Sequence, residues 1–357
     1  MGQSTLRLTV NAQGEPAERI AQAAALLRAG RLVAFPTETV YGLGADATNA
    51  DAVTGIFAAK ERPRSDPLIV HIADMAQLEQ VARDIPPLAL ALAQRFWPGP
   101  LTLVLPRAEA IPSIVASGGE TVGVRMPAHP VALALLRAAG TPIAAPSANR
   151  FMRTSPTTAA HVLADLDGRI AAVLDGGPCQ VGVESSVVDL TSTPPHLLRP
   201  GGVTLEQLRE LAPETIGPHE HATPSISGAA RSPGQMERHY APRTRLIVYD
   251  ATGADGAAAV LAGARRALAA GRRVGALVSD DETSALEALG IEVERLGSPD
   301  APEEQTRRLY AALHALDARG CDVLLAHMVA PAGLGLALRD RLRRAAGGRL
   351  TAPEKES

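Results

Sequence analysis

Lysine is almost absent from this 357-residue chain: of 35 basic residues, Lys60 and Lys355 are the lysines, and Lys355 falls in the polar C-terminal tail. Lys60 opens the stretch "KERPRSDPLIVHI" (60–72), with Arg62 and Arg64 following at two-residue steps and Pro63 interrupting the segment. Cations gathered at a helix end before a strand can clamp phosphate groups. A solvated helix C-terminus, favoured by the dipole, would look similar. In an arginine-using chain a merely solvated cation would be arginine, so the expectation is a surface Lys60 that contributes charge to a ligand and little to stability. His71 closes the following strand on the face opposite Leu68, Val70 and Ile72, where a structural role is the simpler reading.

Other polar groups stand at the ends of apolar runs. "FPTETVYGLGADA" (35–47) brings Thr37, Glu38, Thr39 and Tyr41 together, hydrogen-bonding groups suited to a small polar ligand. Its Gly42, Gly44 and Ala47 imitate a dinucleotide fingerprint, but no clean strand precedes them and no acidic residue ends a strand about 20 residues on. The glycines read instead as a bend. "TVGVRMPAHP" places Arg125 on one sheet face beside Gly123, where a covered guanidinium needs a carboxylate or phosphate partner. "PIAAPSANRFMRTSPT" (142–157) carries Ser147, Asn149 and Ser155, "GVESSVVDL" carries Ser185 and Ser186, and "LLRPG" carries Arg199. There is no P-loop, no G-x-S-x-G elbow and no H-E-x-x-H. His219, Glu220 and His221 lack a third ligand nearby, so no protein metal site is expected. The set points to positioning of anions without a covalent nucleophile.

The elements that must hold these groups follow from hydrophobic period. A helix is expected over 16–29, then a strand over 31–35, with further strands at 67–72, 101–106, 121–127, 170–175, 185–190 and 196–200. Helical patterns at 51–60, 75–95, 130–139 and 157–165 lie between them, which predicts an open, mixed α/β sheet. Residues 213–243 are rich in Pro, Gly, Ser and His without period and read as a linker. Strands and helices then alternate regularly, as in a small Rossmann-like parallel domain. The expected division is 1–212, a 213–243 linker or lid, 244–350, and a 351–357 tail. No run of about 18 apolar residues appears and the N-terminus lacks a signal-peptide core, so the expected compartment is the cytoplasm. The two cysteines are too few for a disulfide framework.

Taken in order, "FPTETVYGLG", "KERP", "PLIVHI", "FWPGPLTLVL", "VGVRMPAHP", "PIAAPSAN", "SPT", "GVESSVVDL" and "LLRPG" resemble the YrdC-like domain of threonylcarbamoyl-adenylate synthases over residues 15 to about 210. "SPGQMERHYAP" (232–242) and "GLGLALRDRLRRAAGG" (333–348) resemble the linker and C-terminal domain of the long, two-domain form. The resemblance implies synthesis of threonylcarbamoyl-AMP from L-threonine, bicarbonate or CO2, and ATP with Mg2+, for N6-threonylcarbamoyladenosine in tRNA. It implies a threonine pocket of Thr39, His71, Arg125, Ala145 and Ser185, with Arg125 on the carboxylate. It implies ATP contacts from Arg62, Asp66, Thr121, Ser147, Ser155, Arg199 and, from a linker acting as lid, Tyr240. Lys60, Arg62, Ser147 and Asn149 match the family's reaction-centre signature. Asp66 departs from the Asn of many members, and a carboxylate there would repel ATP unless it is hydrogen-bonded or outside the pocket. Hand-off to a transferase and weak tRNA binding are further implied. A non-enzymatic RNA-binding module is disfavoured by the net charge of -3 and 3% aromatic content. The carbamoyl-transfer branch of hydrogenase maturation proteins is disfavoured by the cysteine count.

Overall fold

The run Leu101–Pro106 is buried at every position but the last, and it forms a strand with the bounds its apolar length predicts. It belongs to a sheet that the computed structural model, which describes residues 4–218, 236 and 238–353, places in the first of two compact units. That unit comprises Met1–Phe151 and Ser155–Gln235; the second comprises Met152–Thr154 and Met236–Ser357. The 213–243 stretch read as a linker is therefore shared between the two units, and its residues 219–235 and 237, including the His219-Glu220-His221 run, lie outside the described residues.

Among the described residues the first sheet has ten strands: β1 (Leu6–Thr9), β2 (Val33–Phe35), β3 (Gly42–Asp46), β4 (Ile69–His71), β5 (Leu101–Pro106), β6 (Thr121–Arg125), β7 (Ile143–Ala144), β8 (Ala172–Asp175), β9 (Ser186–Asp189) and β10 (His196–Arg199). Their order is β1-β8-β2-β3-β7-β4-β6-β5-β9-β10. Parallel pairs (β1 with β8, β2 with β8, β4 with β6, β5 with β9) alternate with antiparallel ones, so the sheet is mixed as expected. Two apolar clusters cover it. In one, Leu8, Val33, Phe35 and Leu174 meet Ile20, Leu27 and Leu135 from the helices Ala17–Arg28 and Pro130–Ala139. In the other, Leu43, Val70, Leu103 and Val124 meet Val53 and Ile56 from the helix Ala50–Lys60.

The structure departs from the expected elements in three places. The helical pattern at 75–95 is broken into Met75–Gln77, Leu78–Val81 and Pro87–Phe96, because Pro86 and Pro87 restart the chain: a proline fits the first helical turn but not a helix interior. The chain begins with β1 before its first helix. The glycines of "YGLGADA" are not a bend but strand β3, antiparallel to β2. A Cβ on Gly44 would lie 2.9 Å from both Phe35 Cε1 and Ile143 Cγ2, so the strand needs glycine to lie against the Phe35 ring.

The second unit carries five parallel strands among its described residues: β11 (Arg245–Tyr249), β12 (Val274–Val278), β13 (Glu292–Arg295), β14 (Val323–His327) and β15 (Leu350–Thr351), ordered β13-β12-β14-β11-β15. The helices Gly253–Ala269, Pro302–Ala318 and Gly335–Ala345 connect them in the regular alternation read from the sequence. Tyr240 is buried in this unit, against Tyr310 and under the Arg341 guanidinium, which sits 5.0 Å from its ring centre.

Candidate active site

The helix Ala50–Lys60 is capped at its start by Asn49, whose side chain accepts from the Asp51 and Ala52 amides, and it stops at Glu61 in the left-handed conformation. Its last residue, Lys60, is 1% exposed. The ammonium group donates to the backbone oxygens of Ser147 and Asn149, 2.5 Å from each, and the Lys60 carbonyl accepts from the Phe151 amide. Burial pushes its pKa well below the usual lysine value, and the neighbouring Arg62 pushes the same way. The surface cation expected from the sequence is thus a buried tether holding the Ser147–Asn149 loop. A sequence cannot show this, because the carbonyls that receive the lysine lie 87 and 89 residues further on.

Arg62 is buried as well. It pairs with Asp66 at 3.0 Å and donates to the carbonyls of Asp66 and Pro67. Burial raises the Asp66 pKa, opposed by the charges of Arg62, Lys60 and Arg199. The extra carboxylate at position 66 is therefore balanced within the protein. Arg199, at the end of β10, donates through Nε to the Ser185 carbonyl and through Nη2 to Ser185 Oγ, which stands 2.7 Å from Thr102 Oγ1. Ser155 donates to Glu184 at 2.6 Å, an acidic partner the sequence reading did not single out. Thr121 begins β6, the strand that ends in Arg125.

Register brings the expected threonine pocket together. His71 on β4 pairs with Arg125 on β6, and Ala145 follows the short β7 with its amide bonded to Ile69. Burial, with Arg125 second, pushes the His71 pKa down to about 3, so the imidazole is neutral at physiological pH. Arg125 donates to the Gly99 carbonyl at 3.3 Å and to Thr39 Oγ1 at 2.9 Å. Its Nη2 lies 2.6 Å from Glu38 Oε1. Thr39, His71, Arg125 and Ser185 are each no more than 4% exposed. Of the expected set, Tyr240 belongs to the second unit and the rest to the first. Glu38 and Thr37 were visible as polar residues in "PTET", but nothing in the sequence announced Arg125 as the partner of Glu38.

These groups can hold anions, form hydrogen bonds and keep a neutral imidazole beside a cation. Among the described residues no three His, Cys, Asp or Glu side chains gather to hold a metal ion. No described helix is long and apolar enough to cross a membrane.

Residues 25–201 match the Sua5_yciO_yrdC family model, described as Telomere recombination, and residues 203–347 match the Sua5_C model, described as Threonylcarbamoyl-AMP synthase, C-terminal domain. The threonylcarbamoyl-AMP synthase of Pyrococcus abyssi is 46% identical over 93% of this chain and 95% of its own length. That of Bacillus subtilis is 46% identical over 93% and 94%, and that of Schizosaccharomyces pombe 38% identical over 88% and 84%. The crystal structure of P. abyssi Sua5 complexed with L-threonine superposes with a TM-score of 0.89, at 44% identity, over 98% of this chain and 99% of that one. Fold and relatives together define a YrdC-like enzyme of the adenylyl-transferring class. The chain belongs to the threonylcarbamoyl-AMP synthase family.

Proposed function

We propose that the first unit condenses L-threonine with bicarbonate or CO2 and transfers the adenylyl group of ATP to the resulting carbamate, giving threonylcarbamoyl-AMP and pyrophosphate. The observation that carries this reading is the buried Arg125, held by Thr39 and facing the neutral His71, in a chain whose relative of 44% identity is described in complex with L-threonine. Thr39, His71, Arg125, Ala145 and Ser185 line the amino-acid pocket. Arg62, Asp66, Thr121, Ser147, Ser155 and Arg199 take ATP, and Lys60, Arg62, Ser147 and Asn149 set the reaction centre.

The threonine nitrogen adds to the carbon of bicarbonate or CO2, and a carbamate oxygen then attacks the α-phosphorus as pyrophosphate leaves. Both reactants are anionic, so the barrier is lowered by fixing them in line and by cations already in place, with no covalent intermediate required. Lys60 acts here by position: it holds the Ser147 and Asn149 backbone rather than offering an open charge. Mg2+ enters with the triphosphate as part of the substrate, since this ion is usually held by phosphates and one or two carboxylates rather than by a protein cage. The product serves tRNA modification in the cytoplasm, through hand-off to a transferase and weak contact with tRNA. Pyrophosphate release from ATP that requires both L-threonine and bicarbonate, with L-serine as control, tests the proposal; release independent of the amino acid would refute it.

A further inference from the structure

Glu38 lies between β2 and β3 and is 5% exposed. Although Arg125 Nη2 stands at ion-pair distance from Oε1, neither carboxylate oxygen of Glu38 nor Arg125 Nη2 makes a hydrogen bond. Buried groups of this kind are costly to leave unpaired, so an unfilled donor beside two unfilled acceptors calls for a ligand. Hydrogen-bond direction in the neighbouring hydroxyls sharpens the demand. Thr37 Oγ1 donates to the Val40 carbonyl at 2.7 Å, so across its 2.8 Å contact with Thr39 Oγ1 it must accept. Thr39 thus spends its one proton on Thr37 and one lone pair on Arg125 Nη1, and keeps acceptor capacity alone.

The corner therefore presents one donor and several acceptors with no net charge. The titratable neighbours do not alter that sum: burial lowers the pKa values of His71 and His129, Arg125 adding to the effect at His71 and Glu38 opposing it at His129, and burial raises the Cys179 thiol, with Glu38 adding to the rise. A plain carboxylate would satisfy Arg125 but meet the charge of Glu38. A molecule carrying carboxylate and ammonium on one carbon meets both.

We propose that Glu38 is a specificity-determining residue that binds the α-ammonium group of the amino-acid substrate, with Thr39 Oγ1 as second acceptor, while Arg125 Nη2 takes the α-carboxylate. This rests on the amino-acid reading above and adds the group that selects an amine over a hydroxyl.

The test is calorimetric titration of the full wild-type chain with L-threonine and with 2,3-dihydroxybutanoate of matching configuration, which carries a hydroxyl in place of the amine. The hydroxy acid is expected to bind at least about 100-fold more weakly, since a site built around one polar group rejects the analogue that lacks it. In Glu38→Gln that preference falls at least about tenfold and the threonine KM rises, while the KM for ATP stays within about twofold. Hydroxy acid binding to wild type within about threefold of L-threonine overturns the proposal however the variant folds. Absence of L-threonine binding would remove the substrate reading and this proposal with it.

Discussion

Replacing Lys60 by Met keeps an unbranched stem of similar length and removes only the donors. Two contacts of 2.5 Å to the Ser147 and Asn149 carbonyls are lost. At about 1.5–3 kcal/mol for each hydrogen bond to a charged group, the gross loss is about 3–6 kcal/mol. Relief of the buried amine, whose pKa lies well below the usual lysine value, offsets part of it. A net destabilisation of about 2–4 kcal/mol is expected, near the upper range for a point mutation. The melting transition of a unit this size should fall by roughly 4 °C or more. Catalysis should fall by about 100-fold, because displacing a positioning loop by even an ångström has costs of that order. The assays are thermal unfolding by circular dichroism and threonine-dependent pyrophosphate release. Unchanged melting with lost activity would restore an exposed phosphate clamp and refute the tether.

Further outcomes follow from other buried groups. The His71 pKa is about 3 in the folded chain and near 6.5 when unfolded, so below about pH 6.5 the unfolded state binds a proton that the folded state refuses. Stability should therefore fall as pH drops from about 6.5 toward 3, by on the order of 4 kcal/mol, and His71→Gln should flatten that slope in denaturant titrations. Gly44→Ala should cost about 1–3 kcal/mol through overpacking, more than Gly42→Ala, whose nearest contact for a Cβ is Ala145 at 3.3 Å; urea midpoints of the pair check the order. In the second unit, Arg341→Met leaves the buried Asp340, 2.5 Å from the guanidinium, without that partner. It should lower the stability of that unit by about 3 kcal/mol in calorimetry.

Much of the fold was legible because hydrophobic period carries it. "LTLVLP" could only be a strand, and the alternation after residue 244 could only be a parallel layer. What escaped depends on contacts distant in sequence. β3 hid behind glycines that disfavour strands on propensity, and only the Phe35 ring explains them. Candidate site residues were recognisable by type: Thr39, Arg125 and Ser185 are buried polar groups at or beside strand ends. Their pairing was not. That Arg62 neutralises Asp66, that Glu38 faces Arg125 and that Lys60 anchors a loop are facts of register and closure.

The reaction itself is tested most directly by incubating the purified chain with ATP, L-threonine and 13C-bicarbonate and reading the nucleotide products by mass spectrometry. The account predicts threonylcarbamoyl-AMP carrying the label, formed together with pyrophosphate and lost when L-threonine is omitted. Pyrophosphate formed without any labelled threonine-containing adenylate would contradict it.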